Sequence, residues 1–341
     1  MKTDLKGLGA QETEHWAMGH GLEAYRGRQI RHWLFKKLAK SFEEMTTLPK
    51  DLRDSLEKKA CISHMERVET QESRDGTKKY LFKLEDDHLI ESVLIPERDH
   101  DTLCISSQAG CAMDCRFCLT AKQGLKRNLT ASEIVDQVIH VKRSMDDPDR
   151  LTNIVLMGMG EPLANYEAVK KAVINLMDDG GLNFSRRKIT LSTCGLVPQM
   201  ERWGREMNIK LAVSLNAADD DTRSLLMPIN NKYPLKSLLG ACKALPLPKG
   251  ERITFEYILI REINDRDEDA RNLVELLKGI RAKINLIPLN PHQGTSLSPP
   301  SMGRIRQFQD ILLKRYYTVI IRKSRGSDIL AACGQLSGKA S

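Results

Sequence analysis

From residue 102 onward the sequence alternates between short β-prone runs and amphipathic helical runs, and few folds accommodate that rhythm. Strands are expected at 102–106, 153–157, 188–193, 210–214, 252–260 and 283–287, with helices between them at 132–143, 166–177, 235–245 and 268–277. The first helix opens on Thr130-Ala-Ser-Glu133, a capping box that satisfies two of its free N–H groups. Successive strand–helix units demand a parallel sheet, because each crossover helix returns the next strand to the same direction. An incomplete barrel and a doubly wound sheet both satisfy the spacing. A last helix at 302–315 and a strand at 318–321 lead into Arg322-Lys-Ser-Arg325 and the tail Ala331-Ala-Cys-Gly-Gln-Leu336.

The residues before 97 follow another pattern. Positions 26–40 place Ile30, Trp33, Leu34 and Leu38 at helical spacing with Arg and Lys opposite, and Leu52 and Leu56 continue it after Pro49. Residues 1–62 therefore read as a small basic helical module. Asp75-Gly76 then separates two β-prone runs as a hairpin turn does, with strands expected at 80–84 and 90–95. That makes 63–96 a β-rich extension and 97–336 the core. Hydrophobic residues are 41% of the 341, enough for one large core, and no run of about 18 apolar residues exists to span a bilayer. No apolar signal segment opens the chain, so a cytoplasmic protein is expected. Lys and Arg exceed Asp and Glu by 53 to 45, an imbalance that permits a polyanionic partner without identifying one.

Eight cysteines are too few for a disulfide scaffold, and three of them, Cys111, Cys115 and Cys118, are clustered directly after the first strand of the series. In a barrel that is the place of an active-site loop. Three thiolates at CxxxCxxC spacing leave one iron of a 4Fe–4S cluster open, whereas structural zinc uses paired CxxC knuckles and a fourth protein ligand, and no such partner is nearby. A non-catalytic, zinc-containing RNA-binding protein is the competing reading from a different class.

CxxxCxxC with an aromatic residue before its last cysteine resembles the radical S-adenosylmethionine (SAM) superfamily, and Met157-Gly-Met-Gly-Glu161-Pro-Leu163 resembles that superfamily's GGEP-type loop. Longer strings narrow the resemblance. Leu103-Cys-Ile-Ser-Ser-Gln108, Gly158-Met-Gly-Glu-Pro-Leu163, Met227-Pro-Ile-Asn230, Ile284-Asn-Leu-Ile-Pro288 and Ala331-Ala-Cys-Gly-Gln-Leu336 together resemble the RlmN/Cfr family of RNA adenine methyltransferases, from about residue 26 to 336. The resemblance implies an α/β fold built on an incomplete (β/α)6 barrel, a 4Fe–4S cluster on Cys111, Cys115 and Cys118, and two SAM molecules per turnover. It implies methylation of carbon 2 of adenine in 23S rRNA and in tRNA. Carbon 8 is the alternative; Pro162 favours carbon 2, because the carbon-8 branch commonly has Ala there. Carbon 2 is an electron-poor sp² carbon that does not attack SAM as a nucleophile, so a radical route is required.

By motif, Cys333 is the methyl carrier, Cys104 the thiol that resolves the RNA adduct through a transient disulfide, and Glu91 the proton acceptor. SAM contacts carry over to Gly160, Glu161, Ser192, Ser214, Leu215, Asn216 and Asn290. Asn216 stands where the family commonly has His; it cannot be charged, which leaves a backbone contact there. Cys61, Cys194 and Cys242 match no family position and read as buried or incidental. The expected partners are 23S rRNA and tRNA, gripped by the basic N-terminal module and residues 322–325, with a one-electron donor such as flavodoxin or ferredoxin and a thiol reductant. The protein is expected to be a monomer with no membrane attachment. A radical enzyme acting on a protein or small molecule is the alternative within the superfamily, and the Cys104/Cys333 pair disfavours it.

Overall fold

The computed structural model describes residues 2–292 and 294–338. Near its N-terminus the chain forms β1 (Thr3–Asp4), α1 (Ala10–Gly19), α2 (Ala24–Phe35) and α3 (Lys50–Lys59), and β2 (Ala60–Cys61) returns to pair in parallel with β1. α2 ends short of the helical spacing that runs to residue 40. Leu38 takes a left-handed φ of 56°, and the Ala39 N–H turns back to the Trp33 carbonyl.

The hairpin at Asp75-Gly76 joins β3 (Glu66–Glu72) to β4 (Lys78–Lys83), and β5 (Leu89–Pro96) completes an antiparallel meander. β5 then pairs antiparallel with β6 (Asp101–Cys104), the first strand of the parallel series, so meander and barrel share one sheet. A separate ribbon of β7 (Gln108–Gly110) and β8 (Leu125–Asn128) brackets the cysteine loop. The series continues as α4 (Ala131–Arg143), β9 (Leu151–Leu156), α5 (Tyr166–Met177), β10 (Ile189–Thr193), α6 (Val197–Glu206), β11 (Lys210–Ser214), α7 (Asp220–Leu226) and α8 (Leu235–Ala244). It closes with β12 (Ile253–Leu259), α9 (Asp267–Leu276), β13 (Ala282–Pro288), α10 (Met302–Leu313) and β14 (Thr318–Ile321).

The sheet runs β14-β13-β12-β11-β10-β9-β6-β5-β4-β3, with β6 and β9 through β14 parallel to one another. Strand order never reverses, which excludes the doubly wound alternative. β14 and β3 remain edges, so the barrel is incomplete, as the resemblance implies.

Burial alternates along the central strands. Ile253, Phe255, Tyr257 and Leu259 of β12 are buried, while Thr254, Glu256 and Ile258 between them are half-buried; β13 repeats this with Ile284 and Leu286 against Lys283 and Asn285. Tyr257 meets Phe308 of α10, so the apolar set lies beneath the helices. The other set lines a wet interior where a closed barrel would pack Val, Ile and Leu.

Two charged anchors fix the N-terminal module to the barrel. Lys6 Nζ pairs with Asp136 Oδ1 of α4 at 2.5 Å, with the two side chains 0% and 1% exposed, and Asp136 Oδ2 accepts the Met65 N–H at 2.8 Å. Arg31 donates to the Leu8 carbonyl at 2.8 Å, to Asn175 Oδ1 at 3.3 Å and to Asp178 Oδ2 at 3.2 Å. Arg31, one of the basic residues expected to face RNA, is thus buried and spent on docking, while Lys36, Lys37 and Lys40 stay exposed. Among the described residues no helix is long and apolar enough to cross a membrane. Asp136→Asn, which strands the Lys6 ammonium, is expected to cost about 3–5 kcal/mol in denaturant unfolding. Lys6→Met combined with Asp136→Leu should recover most of that loss; an unchanged midpoint in the single variant would remove the pair from the docking.

Candidate active site

The β7–β8 ribbon pins the cysteine loop: the Cys111 N–H donates to the Gly124 carbonyl at 3.1 Å, and the Cys118 N–H closes a turn onto the Cys115 carbonyl at 3.0 Å. Phe117 is buried in a small apolar cluster with Leu226, Met227, Ile260 and Leu289, against which Cys115 and Cys118 pack. Burial, with the neighbouring Cys118 and Glu161, pushes the Cys111 thiol up to about 12, and burial with Cys118 and Cys111 pushes Cys115 well above the ordinary thiol range. Such thiols stay protonated unless a cationic centre sits among them, which is what an iron–sulfur core provides. Among the described residues no three His, Cys, Asp or Glu stand close enough to hold one metal ion. A cluster asks for no such convergence, since each cysteine takes its own iron. The three cysteines therefore fit the cluster that the resemblance implies.

The Gly-rich loop follows β9. A Cβ on Gly158 would lie 2.7 Å from both the Ile105 carbonyl oxygen and Ser106 Oγ, and one on Gly160, at φ 101°, would lie 2.6 Å from Gln108 Cβ. These glycines make room for the β6–β7 connection rather than only for a ligand. The loop is bonded to that connection through Met159 N–H to Ser106 Oγ at 2.9 Å and Glu161 N–H to Gln108 Oε1 at 2.8 Å. Glu161 is buried; Oε1 accepts the Leu163 N–H at 3.0 Å and Oε2 the Cys194 N–H at 2.8 Å. Burial raises its pKa against those bonds. Each oxygen keeps acceptor capacity for an ammonium donor such as the SAM amino group.

The C-terminal tail lies across this loop. The Leu119 N–H donates to the Gly334 carbonyl at 2.7 Å, Thr120 Oγ1 to the Leu336 carbonyl at 2.7 Å, and Asn290 Nδ2 to the Cys333 carbonyl at 3.1 Å. Gly334, at φ 82°, passes so near the loop that a Cβ would sit 3.2 Å from the Phe117 carbonyl oxygen. Cys333 is open to water yet crowded by protein, as on the wall of a deep cavity. That crowding, then the Glu256 charge, pushes its thiol up to about 11, with Arg322 opposing. Cys104 ends β6, is buried, and is raised by burial first and by Cys333 second, so the two thiols act on each other.

Glu91, fully buried on β5, holds the end of the tail. Its Oε2 accepts the Ser337 and Gly338 N–H groups at 2.6 and 2.9 Å, and Oε1 pairs with Lys79 Nζ at 3.1 Å. Other expected contacts are partly committed within the protein. Asn216, at φ 59°, accepts the Ile258 N–H on Oδ1 at 2.8 Å, donates to Met227 Sδ at 3.2 Å, and its carbonyl accepts Asn264 Nδ2 at 2.7 Å. It braces β11 against β12. Leu215 is buried, with its N–H on the Glu256 carbonyl and its own carbonyl accepting from Arg223. Asn290 is bound to the tail and to the Ser324 hydroxyl. Ser192 donates to Glu256 Oε2 at 3.0 Å, and Ser214 lies beside Glu256 in the sheet.

Sequence reasoning missed Glu256 and Arg223, and it expected Arg322 only as a phosphate contact, not as a charge acting on Cys333. Glu256 had a signal: a Glu at the alternate position of a central parallel strand has no place in a sheet packed on both faces. A carboxylate beside two thiols is a place a thiol proton can go. Cys194, which matched no motif, lies in the wall of the site within reach of the Glu161 and Cys115 charges, whereas Cys61 and Cys242 lie in β2 and α8. Two surface hollows, about 430 Å³ beside β3 and β4 and about 340 Å³ between the N-terminal module and α4, contain none of these groups.

Comparison with known proteins agrees with this geometry. Residues 105–274 match the radical SAM superfamily, and residues 3–62 match the ribosomal RNA large subunit methyltransferase N-terminal domain. A dual-specificity RNA methyltransferase RlmN of Geobacter sulfurreducens is 55% identical over 98% of this chain and 92% of its own length. The protein of that name from Geotalea uraniireducens is 52% identical over 99% and 97%. The crystal structure of a radical SAM methyltransferase from Sphaerobacter thermophilus superposes with a TM-score of 0.95 at 45% identity, covering 99% of this chain and 100% of that one.

Glu256→Gln removes a negative charge acting on Cys333, so the Cys333 pKa should fall from about 11. Alkylation of Cys333 by iodoacetamide at pH 8 in cluster-free protein is then expected to quicken, by about tenfold for each unit of fall. An unchanged rate would show that the carboxylate does not act on the thiol.

Proposed function

Because this chain belongs to the RlmN family of radical SAM RNA methyltransferases, we propose that it methylates carbon 2 of adenine in 23S rRNA and in tRNA, with Cys333 as methyl carrier and Cys104 as resolving thiol. The observation that carries this reading is the tail: Cys333 is bonded through its neighbours to the cysteine loop and lies close enough to Cys104 for the two thiols to act on each other. The relatives' names, all of the dual-specificity kind, favour carbon 2 over carbon 8, and the radical SAM match removes the zinc-protein alternative.

Held by Cys111, Cys115, Cys118 and Glu161, the cluster and two equivalents of SAM supply a transferable methyl group and a hydrogen-abstracting radical. The Cys333 sulfur takes the methyl group by displacement and must first give up its proton, which its crowded site resists and Arg322 assists. Ser192 and Ser214 offer hydroxyls to SAM from the ends of β10 and β11. Once the methylene radical on Cys333 has added to the adenine ring, the adduct returns one electron to the one-electron carrier that first supplied it, and Glu91 accepts the ring proton. Its Oε2 has to exchange the Ser337 and Gly338 amides for that proton, so base and tail act together. Cys104 then attacks the Cys333 sulfur: an S–S bond forms, the S–C bond to the adduct breaks, and the electron pair left on carbon takes up a proton. An external thiol reductant restores both thiols. A one-electron donor of the flavodoxin or ferredoxin class completes the partner set.

The adenine has to leave its stack to reach a thiol inside a barrel, which suits loop or flipped nucleotides. Lys36, Lys37, Lys40, Arg322 and Lys323 are exposed cations available to phosphates.

Reconstituted enzyme given rRNA or tRNA with methyl-labelled SAM should yield 2-methyladenosine on nuclease digestion and mass spectrometry; 8-methyladenosine, or no labelled base, would refute the assignment. Cys333→Ala is expected to cleave SAM yet transfer no methyl group, and Cys104→Ala to accumulate a covalent protein–RNA adduct. Normal methylation by either variant removes that residue's role. Charge reversal at Lys36, Lys37 and Lys40 should lower RNA affinity and flatten its salt dependence by about one unit per lost phosphate contact.

A further inference from the structure

The Met227-Pro-Ile-Asn230 string has no part in the chemistry above, yet it supports one of the most buried charges in the molecule. Arg223 of α7 is 0% exposed. Its Nε donates to the Leu215 carbonyl at 3.1 Å, Nη1 to Asn230 Oδ1 at 2.9 Å, and Nη2 to the Cys194 and Ser214 carbonyls at 2.8 and 3.2 Å. All four acceptors are neutral. Asp220, an acidic residue on the same helix, instead accepts Asn230 Nδ2 at 2.9 Å and the Leu235 N–H at 2.8 Å. Burying a cation against neutral dipoles alone is costly, and a protein tolerates it where an anion belongs nearby.

The structure indicates where that anion belongs. Helix α7 runs straight into the cysteine loop: the Met227 N–H returns to the Arg223 carbonyl at 2.7 Å, and the Arg116 N–H, next to Cys115, donates to the Leu226 carbonyl at 3.0 Å. Leu226 and Met227 form the apolar cluster on which Cys115 and Cys118 rest. Cys194 and Cys115 stand within electrostatic reach of the guanidinium and, once ionised, act on it ahead of Asp220. Its Nη2 also bonds the carbonyl of Cys194, whose N–H holds Glu161. The guanidinium is therefore immobile, unpaired and behind the Cys115 corner of the loop.

We propose that Arg223 is a built-in counter-charge for the iron–sulfur cluster, retaining it in the loop and favouring its one-electron reduction. This rests on the reading of Cys111, Cys115 and Cys118 as the cluster's ligands. Three thiolates make the assembly anionic, and one added electron makes it more so, so a fixed cation stabilises the reduced form more than the oxidised one. Asn230 is then a positioning residue that aims the guanidinium.

The test uses wild type, Arg223→Gln and Arg223→Lys, each loaded anaerobically with iron and sulfide, with irons counted, folding checked by circular dichroism, and the cluster titrated with dithionite under EPR. Both variants lose the guanidinium fork, but only Gln must lose the charge. At the wild-type midpoint the reduced-to-oxidised ratio should fall about tenfold in Arg223→Gln, which is 59 mV for a one-electron couple, and less in Arg223→Lys. A fully loaded Gln variant that titrates like wild type overturns the proposal. Should Arg223→Gln not fold, hydrogen exchange in the wild type decides: exchange over residues 219–231 should slow on cluster loading and slow again on reduction, and indifference to reduction overturns it. A wild-type protein that takes up no iron overturns the cluster reading itself, and this inference with it.

Discussion

A parallel strand buries one face under helices, and here the opposite face has been left without a partner. Because β14 and β3 never meet, the alternate row of Thr254, Glu256, Lys283 and Asn285 stays half-buried where a closed barrel would have a packed centre. Everything chemical depends on that opening. It lets a carboxylate and two thiols occupy the inside of a sheet, and it leaves room for the chain's own C-terminal segment to enter and lie along the cysteine loop. A closed barrel of the same strands would fill this space with aliphatic side chains.

The tail changes how the site is assembled. Cys333 is far from Cys118 in sequence, yet Leu119 bonds Gly334 and Thr120 bonds Leu336, so loop and tail set each other's position. Glu91 and Cys104 come from adjacent antiparallel strands, β5 and β6, which places a buried carboxylate and a thiol on the same end of the meander. The meander is therefore part of the wall of the candidate site, a role that a linker between module and core would not have.

What the sequence made legible was what is local in it. The cysteine loop, the glycine-rich turn after β9 and the capping box at Thr130 declare themselves within a few residues, and the structure has them where the strand spacing puts them. The long-range charge partners were not legible. Lys6 meets Asp136 across 130 positions and Arg31 meets Asp178 across 147, and no periodicity distinguishes these cations from solvated ones such as Lys36. Asn290 and Asn216 illustrate another limit: motif matching marks a residue as needed, but not whether its amide faces a ligand or braces the chain. Helix α7, seven residues long, gave too little pattern to be seen, and Arg223 went unseen with it.

The double anchoring of the N-terminal module, through Lys6 on α4 and Arg31 on α5, also fixes a length. Both cations are buried, Lys6 together with its partner Asp136, so the module cannot swing relative to the barrel without exposing a bare charge. The exposed lysines after α2 are therefore held at a set span and angle from Cys333. On the proposed reading that those lysines meet phosphates, the module would work as a caliper, admitting those RNA folds whose backbone and displaced base match the gap, so that shape would select the target before any base is read.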